Sequence, residues 1–114
     1  QNSQPAEDTK MALVSSLLTD PNPGVRLKSI RLLASYDPGK VLKEACMKVL
    51  LEDDNEAVRL SAMDIMEISP DKTMIPALQV VSVLDENDFI RERATELLTT
   101  FSPDELETNV EQES

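Results

Sequence analysis

At 114 residues the chain is long enough for one domain with a modest core and too short for two ordinary ones. Three aromatic residues (Tyr36, Phe89, Phe101) and no Trp leave the core to Leu, Val, Ile, Ala and five Met, while two Gly and seven Pro favour helices with short connections over a sheet sandwich. A net charge of −11 argues against a general polyanion binder, a single Cys excludes an internal disulfide, and the lack of His removes any cysteine-histidine zinc site.

The charge is uneven along the chain. Residues 1–51 carry seven bases and five acids, whereas residues 52–114 carry four bases and 17 acids. The first part is mildly basic and the second strongly acidic. No apolar run approaches the ~20 residues needed to span a bilayer. A start at Gln1 rather than Met marks a processed product or a piece of something longer.

In chain order, the first predicted element is a helix over about residues 7–19, with Met11, Leu13, Val14, Leu17 and Leu18 on it, which reads as the second half of a preceding repeat. Three related segments follow: DPNPGVR (Asp20 to Arg26), DDNEAVR (Asp53 to Arg59) and DENDFIR (Asp85 to Arg91). They share D-x-N-x-x-[V/I]-R, the Asp residues standing 33 and then 32 apart with an unchanged six-residue step to Arg. Each opens a helix, at about 22–36, 55–68 and 88–101. Asn22, Asn55 and Asn87 stand where N-caps belong, and Pro23 at the favoured first helical position.

Helical spacing predicts the core stripes as Val25, Ser29, Leu32, Leu33 and Tyr36; Val58, Ala62, Ile65, Met66 and Ile68; and Ile90, Ala94, Leu97, Leu98 and Phe101. The small residues Ser29, Ala62 and Ala94 let a neighbouring helix approach. Second helices are expected at about 38–52, 71–84 and from 103, after YDP, ISP and FSP, where Asp37, Ser69 or Ser102 caps and Pro opens the helix. Tyr36 is expected to staple on Val41 and Phe101 on Leu106, with Ser102 and Glu105 forming a capping box. The stripes on the second helices are Val41, Leu42, Ala45, Cys46, Val49 and Leu50, then Ile75, Leu78 and Val81 with Val80 and Leu84 as further candidates. Pro76 requires the second of these helices to start late, near Thr73 or Met74. The acidic end, DELETNVEQES, suits a terminal cap.

The opening LLTDPNPGVRLKSIRLLASYDP, with its following pair of short helices, resembles the HEAT repeat, in the bacterial form also found in phycobilin lyase subunits. The resemblance covers roughly residues 8–103 and implies an all-α protein of about seven helices. The implied fold is an α-solenoid, a right-handed superhelix of antiparallel helix pairs, in a single domain with repeats at about 20–52, 53–84 and 85–111. It also implies a structural ladder along the turns, made by Asp20, Asp53 and Asp85 with Arg26, Arg59 and Arg91, and a role in binding other proteins. DPNPGVRLKSIRLL is similar, too, to repeats borne beyond the membrane by some bacterial zinc-finger anti-sigma factors, which implies an extracytoplasmic sensory or regulatory domain as an alternative.

A calcium loop would need alternating oxygen ligands and a Gly at the sharp turn, which neither DDNEAVR nor DENDFIR supplies, so no metal site is expected. Cys46 falls in a core stripe with no His to activate it, and no catalytic residue or cofactor is expected. Of the Met residues, Met47 and Met74 are the candidates for lining a groove. The basic set Arg26, Lys28, Arg31, Lys40, Lys43 and Lys48 would match an acidic protein better than nucleic acid. A scaffold binding a protein partner on its concave face, through Lys40, Lys43, Met47 and Lys48 with Lys72 and Gln79, is the leading expectation. A lyase-like or glycosylase-like subunit is the enzymatic alternative, weakened by the scarcity of aromatic residues for base stacking.

Overall fold

The computed structural model describes residues 3–106. Six α-helices run in the order α1 (Ser3–Thr19), α2 (Pro23–Leu33), α3 (Lys40–Glu52), α4 (Glu56–Ile68), α5 (Ile75–Leu84) and α6 (Asp88–Leu98), with a 3-10 turn at Lys72–Met74 leading into α5. Residues 103–106 begin a further helical turn. The rest of the expected acidic cap lies outside the described residues. There are no strands among the described residues.

The most extensive packing is between helices joined by a D-x-N turn: α1 on α2, α3 on α4 and α5 on α6. Three-residue connections make these tight helical hairpins. The contacts divide into two units, Gln1–Ile68 and Ser69–Ser114. In the first, α2 also packs on α4 and α1 on α3, so the two hairpins stack helix on like helix. The second contains the α5–α6 hairpin, the 3-10 turn and the start of the final helix.

Each D-x-N turn is built from the same local bonds. The carboxylates of Asp20, Asp53 and Asp85 each accept the N–H of the Asn two residues on, at 2.9 Å. The Asn side chains then cap the next helix: Asn22 accepts from Gly24 at 2.8 Å, Asn55 from Ala57 and Val58, and Asn87 from Ile90 at 3.0 Å. Competing for its own backbone is what makes Asp or Asn poor inside a helix and good at its start. Neither Gly takes a positive φ, so the turns depend on these side chains and not on glycine freedom.

The second kind of connection departs from expectation at two places. α3 starts at Lys40, capped by Gly39 without a side-chain bond, which leaves Asp37 too far upstream to serve, and Val41 is 45% exposed. After ISP the cap is Asp71, accepting from Thr73 N at 2.9 Å, in place of Ser69. Only after FSP does the expected box form, Ser102 N donating to Glu105 Oε1 at 2.8 Å and Glu105 N to Ser102 Oγ at 3.2 Å. α1 begins at Ser3, earlier than about residue 7, and Pro5 falls in its first turn, where its missing N–H breaks no bond. Pro76 is accommodated in the same way, one residue inside α5.

The core is aliphatic, with Leu17, Ile30, Leu33, Leu42, Leu50, Met63, Ile65, Met66, Met74, Ile75, Leu78 and Ile90 fully enclosed. Several expected core positions are open. Val25 and Leu32 are 38% and 49% exposed because the buried stripe of α2 turns toward Ile30, which is fully buried. Ile68 ends α4 and is exposed, and Val80 and Leu84 fall on the outer side of α5. Ser29, Ala62 and Ala94 are buried, at the positions where small size lets helices close up.

Candidate functional site

The three repeat arginines are held by the turns. Arg26 Nη1 donates to the carbonyl of Asp20 at 3.0 Å, and Arg59 Nη1 to that of Asp53 at 3.0 Å. Arg91 donates to the carbonyl of Asp85 and also pairs with Asp88. Arg26 reaches further, to the next turn of its unit. Its Nε and Nη2 meet Asp53 Oδ2 and Oδ1 at 2.8 and 3.1 Å, and Nη2 also meets Asp54 at 3.1 Å. The hydrogen bond with Asp53 is the first cause that raises the Arg26 pKa. These groups are spent on one another and on backbone.

Of the expected contact residues, Lys40, Lys43, Met47 and Lys48 share the outward side of α3, a spacing of three, four and one that marks one helical face. Lys40 is exposed, and Lys43 and Met47 are half-buried. Lys48 is exposed and pairs with Glu52 at 3.0 Å. The same side carries Val41 and Leu51, 45% and 46% exposed, which sequence reading placed in the core or passed over. Lys72 and Gln79 are exposed on the second unit, Lys72 in the 3-10 turn and Gln79 on α5. Met74 is fully buried and lines no groove.

Two hollows lie in the first unit. A cleft of about 300 Å³ sits where α1 and α3 end, with Leu17, Leu18, Lys48, Val49 and Glu52 on its walls and Arg26, Asp53 and Asp54 at its head. Another, about 330 Å³, lies along the groove between the packed α2 and α4 and is lined by Ile30, Arg31, Ala34, Ala57, Leu60, Ser61 and Asp64. Cys46 is buried and its thiol is pushed up to about 12 by desolvation, so it is an inert core group at neutral pH. Among the described residues no group of three acidic or cysteine side chains could hold a metal, and no helix is long and apolar enough to cross a membrane.

Stacked antiparallel helical hairpins joined by a recurring turn define an α-helical repeat protein. The family model for HEAT repeats matches residues 11–99, and the chain belongs to the HEAT-repeat family, whose all-helical architecture is the α-solenoid. No curated protein and no solved structure matches it. HEAT repeats commonly serve protein–protein interaction or scaffolding, and the family is typically non-enzymatic.

Proposed function

We propose that the chain is a non-catalytic protein-binding module, organised as one repeat domain, and that the outward face of α3 is its principal contact surface. The observation that carries this reading is the make-up of that face: Lys40, Lys43 and Lys48 interleaved with the exposed Val41 and Leu51 and half-buried Met47. Interfaces combine apolar anchors with charges that select the partner and speed its approach, and this face has both. In a HEAT solenoid the second helices, of which α3 is one, line the concave side. Three lysines against Glu44 and Glu52 favour a partner with acidic groups at its contact. Asp20, Arg26, Asp53, Arg59, Asp85 and Arg91 are assigned to the framework of the turns.

The burial of Cys46, which holds its thiol protonated at neutral pH, supports the non-catalytic reading. The test is selection of peptide ligands from acidic and basic libraries on the intact chain, followed by titration against Lys40→Glu/Lys43→Glu. An acidic ligand whose affinity drops about three- to tenfold in the variant, with stronger loss at low salt, is the expected result. Unchanged affinity removes the α3 assignment.

A further inference from the structure

α5 is the one helix of the six without a charged residue, IPALQVVSVL. Its inner side, Ile75, Leu78 and Val81, is buried. Its outer side carries the exposed Gln79 and, beside it, an apolar stripe: Val80, Val83 and Leu84 are 46%, 71% and 72% exposed, at i, i+3, i+4 spacing. Phe89, 55% exposed, starts α6 at the same end of the hairpin as Leu84, with the Arg93 guanidinium 5.5 Å from its ring centre. Single exposed apolar side chains are ordinary; a continuous stripe on an uncharged helix, flanked by an open aromatic, marks an interaction surface.

We infer that this stripe docks an amphipathic helix of a partner protein, one with an aliphatic face and Lys or Arg along its margins. The charge of the surroundings selects that occupant. Residues 69–106 contain eight acids and three bases, and Glu86 and Asp88 are exposed at the Leu84–Phe89 end. Basic margins would meet these acids while aliphatic residues cover Val83 and Leu84. A second copy fits poorly, because each chain carries a net charge of −11 and would bring the same acids against their own kind. The chain's own last residues, ETNVEQES from 107 to 114, fit no better: they carry three Glu and a single large apolar residue, Val110.

The inference rests on the protein-binding reading above but uses a different helix, so the two can fail separately. Anisotropy titrations would use three labelled helical peptides with one common aliphatic stripe and margins of lysine, glutamate or serine. They would be run against the full chain, Val83→Ser/Leu84→Ser and Lys40→Glu/Lys43→Glu. The expected order is lysine, then serine, then glutamate, with affinity for the lysine peptide falling at least about tenfold in the α5 variant. It should persist in the α3 variant, whatever becomes of acidic ligands at α3. Equal binding of the lysine and glutamate peptides overturns the inference, as does an α5 variant that binds as well as wild type. Sedimentation showing a wild-type dimer that V83S/L84S dissociates would also overturn it, by making a second copy the occupant.

Discussion

Arg26 spans the two turns of the first unit: its guanidinium holds the Asp53 carboxylate through two bonds of 2.8 and 3.1 Å while its third nitrogen binds the Asp20 carbonyl at 3.0 Å. Both partners are largely shielded, at 13% and 6% side-chain exposure. A planar fork on a shielded carboxylate is the geometry in which Arg and Lys are not equivalent.

Arg26→Lys should therefore destabilise the chain by about 1–3 kcal/mol, and Asp53→Ala by at least as much, because it also strips the N–H of Asn55 of its acceptor. Urea unfolding of both singles and the double variant gives the coupling. A coupling energy near zero would mean that the paired geometry contributes nothing beyond its separate parts.

Asn55 accepts two backbone N–H groups, from Ala57 at 2.9 Å and Val58 at 3.2 Å. Asn55→Ala is expected to cost about 1 kcal/mol, and Asn55→Asp or Asn55→Ser much less, since each keeps an oxygen where the cap needs one. The ranking of melting temperatures across the three variants checks this, and an alanine variant as stable as the serine variant contradicts it.

Burial separates residues that composition treats alike. Leu42→Ala, at a fully enclosed site, should cost about 2–5 kcal/mol. Val83→Ala, 71% exposed, should stay within about 0.5 kcal/mol of wild type. A chemical denaturation series in which Val83→Ala is the more damaging would reverse the assignment of inner and outer sides.

Cys46 links stability to pH. Desolvation raises its thiol from 9.0 to about 12, so between those values the unfolded chain loses a proton that the native chain keeps. Native protein then binds more protons than unfolded, and stability is full below the unfolded value and declines as pH rises toward the folded one. The decline for one such group is on the order of 1.4 kcal/mol per pH unit. Comparing wild type with Cys46→Ala by urea midpoints on either side of the lower value isolates it from other alkaline titrations. Parallel pH profiles for the two proteins would rule out the thiol as its source.

Much of the fold was legible in the sequence because its signals are local. Asp20, Asp53 and Asp85 recur with Asn two residues on and Arg six on, and each bond of the turn closes within that span: carboxylate to Asn N–H, Asn oxygen to the helix start, Arg to the Asp carbonyl. A pattern satisfied inside seven residues can be read without knowing what surrounds it. Helix order, the Ser102–Glu105 box and the interior placement of Cys46 and of the small residues Ser29, Ala62 and Ala94 follow from the same short-range rules.

Which side of each helix faces inward was settled only by packing. Periodicity alone makes Leu32 as good a core residue as Ile30, and Leu84 as good as Val81, yet the first of each pair is open and the second enclosed. The hydrophobic stripe of a short, apolar-rich helix is wider than the contact it makes, so neighbouring helices choose which part of it to cover. That choice left Val41 and Leu51 beside the α3 lysines, and Val80, Val83 and Leu84 on the outside of an uncharged α5. The sequence by itself determined the repeat, its turns and its helices, because those are fixed by bonds between near neighbours. The tertiary structure decided which apolar residues remain available to a partner, because burial depends on residues brought together from distant parts of the chain.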